Sequence, residues 1–125
     1  MYAISTDPKR RLVTIKIIGL VTAHEVADLY RDEYAAIAQM GCQLGEHYAL
    51  VDLTECTLQL QDVVAAFQKQ MHSPGKAKRL ALFTGNSVAR MQVRRITQRD
   101  HAQLFASRGE AEAWLFDDTA IADAA

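Results

Sequence analysis

At 125 residues, half of them hydrophobic, the chain is long enough for one sizeable core and too short for two ordinary domains. That composition favours a compact soluble fold over disorder, and a formal net charge of -1 makes nucleic acid an unfavoured partner. The longest apolar runs are strand-sized and the N-terminal residues hold no signal-peptide hydrophobic stretch, so a cytoplasmic chain without a transmembrane segment is expected.

"YAIS" and "RLVTIKIIG" read as two short strands, joined by the turn-forming "TDPKR". In the second, Leu12, Thr14, Lys16 and Ile18 alternate with Val13, Ile15 and Ile17, which gives a strand with at least one strongly apolar face. Thr22 followed by Glu25 forms a capping box for a helix in "TAHEVADLYRDEYAAIAQM", and Gly41 helps to end it. Val26, Tyr30, Tyr34 and Ile37 recur near one side of that helix, with Arg31, Asp32 and Gln39 left to water.

"HYALVDL" reads as a buried strand and "TECTLQLQ" as its exit toward a second helix near residues 60–71, packed through Val63, Ala66, Phe67 and Gln70. Pro74 and Gly75 interrupt it, and "RLALF" supplies the next strand. A third helix starts at Asn86 or Ser87, either of which suits an N-cap, and carries an apolar stripe of Ala89, Val93 and Ile96. "QLFAS" reads as a last short strand. Ser107 and Glu110 repeat the capping-box spacing before "AEAWLF", a helix that lays Trp114 and Leu115 over the core.

The order β-β-α-β-α-β-α-β-α, with four helices, predicts a compact α/β domain over residues 1–116 and a short acidic tail at 117–125. Crossovers of helical length make the later strands parallel, and the initial reversal allows an antiparallel edge, so the sheet is mixed.

Lys76, Lys78, Arg79, Arg90, Arg94, Arg95 and Arg99 fall in a stretch without an acid, yet Arg90 and Arg94 diverge from the apolar stripe in a different direction from Arg95 and Arg99. They need not form one basic plate. The strand end and helix start at "FTGNS" offer backbone amides to an anion, with Asn86, Ser87, Arg90 and Arg94 as the candidate residues. Neither a dinucleotide fingerprint nor a P-loop lysine is present, and ordinary turn-and-cap geometry competes with the anion reading.

Cys42 and Cys56 lack CxxC spacing and His24, His47, His72 and His101 are scattered, so no metal site and no cofactor are expected. Asp52 with Glu55, Asp62 or His47 is the best sequence-level acid–base group. Proximity in sequence supplies neither an oriented substrate nor a shifted pKa, and no catalytic residue is assigned.

The early strands, "YALVDLTECTLQLQDVVAAF" as central strand, loop and helix, "RLALFTG" as the next strand and "QLFASRGEAEAWL" as the ending resemble the SpoIIAA-like or STAS-like class over nearly the whole chain. The resemblance implies a SpoIIAA-like mixed sheet and a noncatalytic regulatory domain that binds a protein partner; related STAS/SEC14-like branches imply small-lipid or nucleotide ligands. In the regulatory branch the loop after the central strand carries a phosphorylatable serine in an Asp-Ser-Ser-Gly-like context. Here "VDLTECTLQLQDV" keeps Asp52 and Leu53 but has no serine or glycine, leaving Thr54 and Thr57 as the nearby hydroxyls.

The leading expectation is therefore a partner surface at Asp52, Thr54, Glu55, Thr57 and Asp62, supported by Arg90 or Arg94. A homodimer through exposed helices is a second expectation. From another class comes a carrier of a small lipid or anionic ligand, with an apolar pocket bordered by Tyr30, Tyr34, Phe67 and Trp114. An enzyme of unidentified reaction class is the remaining alternative.

Overall fold

A computed structural model describes residues 1–71, 76–96 and 101–117. The expectations for His72, Pro74, Gly75, Arg99 and the acidic tail beyond Asp117 lie outside the described residues, as do the side chains of Ser87 and Ile96. The elements are β1 (Tyr2–Asp7), β2 (Leu12–Ile17), α1 (Ala23–Gln39), β3 (Tyr48–Asp52), α2 (Gln61–Met71), β4 (Arg79–Phe83), α3 (Ser87–Ile96), β5 (Ala102–Phe105) and α4 (Arg108–Leu115).

The five strands lie in one sheet in the order β1-β2-β3-β4-β5, with β1 antiparallel to β2 and every later pair parallel. Each parallel step moves the same way across the sheet, and βαβ crossovers are right-handed, so α1, α2 and α3 are confined to one face. That face gathers Val13, Ile15 and Ile17 of β2 with Val26 and Leu29 of α1, Phe67 of α2 and Val93 of α3. The alternate strand residues Leu12, Leu50, Ala81 and Phe83 point the other way, against Ala111 and Leu115 of α4. Both faces of β3 and β4 are covered, which is why "YALVD" and "RLALF" lack polar alternation.

Local signals explain most element ends. At α1 both halves of the capping box form, Glu25 N–H donating to Thr22 Oγ1 at 3.0 Å and Thr22 N–H to Glu25 Oε1 at 3.2 Å. At α4 Ser107 Oγ accepts from Glu110 N–H at 3.3 Å. Ser107 serves there as the N-cap, so β5 ends at Phe105 and does not continue through the whole of "QLFAS". Likewise β1 runs to Asp7, because Thr6 and Asp7 pair with Val13 and Leu12; the reversal is left to residues 8–11, closed by Arg11 N–H on the Pro8 carbonyl at 3.2 Å.

The inner side of α1 differs from its sequence pattern: Val26, Leu29, Glu33 and Ile37 are buried, while Tyr30 and Tyr34 are half-buried at the margin of the core. A tyrosine keeps its ring in apolar packing and its hydroxyl near water at such a margin. On the other face, Arg79 is only 4% exposed. Its Nη1 donates to the Trp114 carbonyl at 2.6 Å and its guanidinium lies 4.5 Å from the Trp114 ring centroid, so one side chain satisfies the end of α4 and stacks on its aromatic residue.

Candidate functional site

The segment after β3 is tied to the segment after β2. A parallel bridge joins Gly19 to Cys56, with Gly19 N–H donating to the Glu55 carbonyl at 2.8 Å. Gly19 has φ of 65°, a left-handed conformation that a side chain would strain. Lys16 and Glu55 form an ion pair beside this bridge, and the carboxylate holds the Lys16 ammonium above its usual pKa range.

Gln59 is the hub of the loop. Its Nε2 donates to the carbonyls of Gly19 at 2.9 Å and Thr57 at 2.7 Å, and its Oε1 accepts from Val21 N–H at 3.0 Å. Gln92 of α3 then grips the Gln59 backbone from the other side: Gln59 N–H donates to Gln92 Oε1 at 2.8 Å, and Gln92 Nε2 donates to the Gln59 carbonyl at 2.9 Å. Three segments far apart in sequence meet at one residue. With Gln59 turned in, Leu58 and Leu60 are turned out, at 50% and 63% exposure, and Leu20 on the neighbouring segment is 56% exposed.

Beneath this loop lies an apolar crevice of about 70 Å³. Its floor is Ile15 and Ile17 of β2, Val51 of β3 and Leu82 of β4, and its walls come from Leu29 and Tyr30 of α1, Phe67 of α2, and Ala89 and Val93 of α3. Tyr30 and Phe67 meet edge to face, ring centroids 6.3 Å apart. Besides Tyr30, the lining residues with polar or thiol groups include Cys56, Thr57, Gln59 and Gln92. Burial pushes the Cys56 thiol above its ordinary pKa, with the Gln59 amide acting in the opposite sense.

The structure separates several residues that the sequence groups together. Asp52 Oδ1 accepts from both the Thr54 N–H at 3.0 Å and the Thr54 hydroxyl at 2.7 Å, so this carboxylate closes its own turn. His47 is 2% exposed and sits before the first residue of β3, about 16 Å of strand from Asp52. Asp62 is exposed in the first turn of α2, and no cluster of metal-ligating groups occurs among the described residues. Of the aromatic candidates, Tyr30 and Phe67 line the crevice and Tyr34 packs against the same core; Trp114 belongs to the opposite face of the sheet, 5.6 Å from the Phe105 centroid.

At the start of α3, Asn86 Oδ1 accepts from Ala89 N–H at 3.2 Å, and Asn86 N–H donates to Thr84 Oγ1 at 3.2 Å. Arg90 is half-buried and folds back so that its Nε donates to the Thr84 carbonyl at 3.2 Å, whereas Arg94 and Arg95 are exposed. Turn-and-cap bonds thus engage Asn86 and Arg90 of the expected anion site, while Arg94 stays exposed beside Arg95.

No family model and no curated protein matches the chain. Among solved structures it is similar to an uncharacterized protein of the DUF3478 family from Shewanella loihica PV-4, described as having a SpoIIAA-like fold, with a TM-score of 0.66 and 19% sequence identity over 92% of each chain. The fold is SpoIIAA-like. In this SpoIIAA-like sheet the loop after the central strand carries Thr54, whose hydroxyl is donated to Asp52, and Thr57, which is exposed. Neither Gln59 nor Gln92 stands out in the sequence, because the bonds that join Gln59 to Gly19, Val21 and Gln92 span 33 to 40 residues and no spacing announces them.

Proposed function

We propose that this chain is a noncatalytic regulatory domain that binds a protein partner through the loop 53–60 and the adjoining segment 19–21. The observation that carries this reading is the set of exposed leucines Leu20, Leu58 and Leu60, on two segments that the Gln59 side chain ties together. Exposed apolar side chains gathered on hydrogen-bonded neighbouring segments are what an interface core requires, and Thr54, Glu55 and Thr57 supply a polar rim. The use of Asp52 in its own turn supports a binding role over acid–base chemistry. Two free thiols, at Cys42 and Cys56, suit a reducing compartment such as the cytoplasm, and among the described residues no helix is long and apolar enough to cross a membrane.

The test is affinity capture followed by titration of the purified partner against Leu58→Ser and Leu60→Ser. Loss of affinity of about tenfold or more in variants that keep their melting temperature supports the surface. Equal binding by both folded variants rejects it.

A second reading is carried by a separate observation, the crevice bordered by Tyr30 and Phe67: the domain holds a small apolar ligand and acts as its carrier or sensor. Native mass spectrometry of the purified protein, with solvent extraction of whatever it retains, tests this.

A further inference from the structure

We propose that the crevice receives an uncharged alkyl chain and that Gln92 is the latch that closes the loop 56–60 over it. This rests on the ligand reading and names both the chemistry of the ligand and the way in.

Ligand class follows from the lining. The floor is built from three successive strands, β2, β3 and β4, and so runs across roughly 10 Å of aliphatic side chains, a shape that suits an extended chain. Among the described residues no charged side chain lines it, so an ionised head would meet no counter-charge from them and enter at a large desolvation cost. Thr57, and the Gln92 amide once it releases the Gln59 backbone, offer a neutral donor and acceptor to a hydroxyl, ester or amide.

The latch follows from size and from what holds the loop down. About 70 Å³ is well under the roughly 150 Å³ of a cavity that takes up a molecule as small as benzene. That volume is too small for a ligand unless the covering segment moves. The covering loop does not bury Leu58 or Leu60, which face outward; on the α3 side it is held by the Gln92 amide on the Gln59 backbone. Two such hydrogen bonds hold a segment reversibly, whereas buried leucines would fix it. Gln59 stays attached through Gly19 and Val21, which leaves the loop a hinge on the β2 side when the α3 side lets go.

The experiment uses the full chain with Cys42→Ser, so that Cys56 at the crevice is the reporting thiol, and 1-octanol as the probe. Gln92→Ala should raise the Cys56 labelling rate and the octanol association rate by about tenfold, as expected for two lost hydrogen bonds of ordinary net strength. Ala89→Leu, which extends a side chain into the crevice, should abolish octanol binding. Gln92→Glu, which keeps the acceptor and loses the donor, should fall between wild type and Gln92→Ala and guards against misreading an unfolded variant. Octanol binding with unchanged labelling and association rates in Gln92→Ala overturns the latch and leaves the ligand reading standing. No octanol binding by wild type or by Gln92→Ala overturns both. Phosphatidylcholine vesicles separate the sources of the chain: transfer of lipid to the protein assigns it to a membrane lipid, octanol binding without transfer to a free amphiphile, and each supports the site.

Discussion

Gln59→Ala removes the side chain that joins the exits of β2 and β3, and its cost can be worked from the bonds lost. Val21 is 4% exposed, so its N–H, deprived of Gln59 Oε1, has poor access to water and an unsatisfied donor there costs about 1–2 kcal/mol. The Gly19 and Thr57 carbonyls lose one donor each, and Gly19 keeps a long bond from Thr57 N–H at 3.4 Å. Their loss adds about 1 kcal/mol, since carbonyls near the surface regain water. The sum is about 2–3 kcal/mol, which for a chain of this size lowers the melting temperature by about 10 °C. Urea unfolding measures the free energy, and hydrogen exchange at the Val21 amide measures whether the change is local. Gln59→Glu should be no better, because the carboxylate faces two carbonyl oxygens that the amide nitrogen served. A loss under about 0.5 kcal/mol with unchanged exchange at Val21 would refute the assignment of Gln59 as the hub.

Arg79→Met keeps an apolar stem but removes the guanidinium from Trp114; a stability loss of about 2 kcal/mol and a changed emission spectrum of Trp114, the only tryptophan, are expected in denaturant titration followed by fluorescence. Tyr2 donates to Asp32 at 2.5 Å, and that bond to a carboxylate pushes the phenol up to about 12 while holding Asp32 below the usual carboxylate range. A raised phenol pKa in the folded state favours the protonated form, so its contribution is present below pH 10 and is lost as pH rises toward 12. The lowered Asp32 contributes above its ordinary range and is lost on acidification. Ultraviolet titration of wild type against Tyr2→Phe should place Tyr2 near 12, and Asp32→Asn should return it toward 10.

Much of this protein is written in short-range chemistry. The alternation in "LVTIKI", the Thr22–Glu25 box, and the continuous apolar runs of β3 and β4 each state an element within a few residues, and their order then allows few topologies because crossovers are short and right-handed. The loop 52–62 is legible as a polar exit from β3 toward α2, but its inner and outer sides are not. "TLQLQ" reads equally well with either set of residues facing in, and the amide of Gln59 is drawn inward by Gly19 and Val21, which only strand pairing brings within reach. Tertiary structure also decided where the aromatic residues work. Tyr30 and Phe67 share a crevice because α1 and α2 lie on one face of the sheet, while Trp114 is on the other because α4 follows the last strand and covers the side the crossovers leave open. Spacing along the chain carries the period of a helix or strand. It carries nothing of which distant backbone atom a side-chain amide will meet, since that distance is set by sheet register and helix packing.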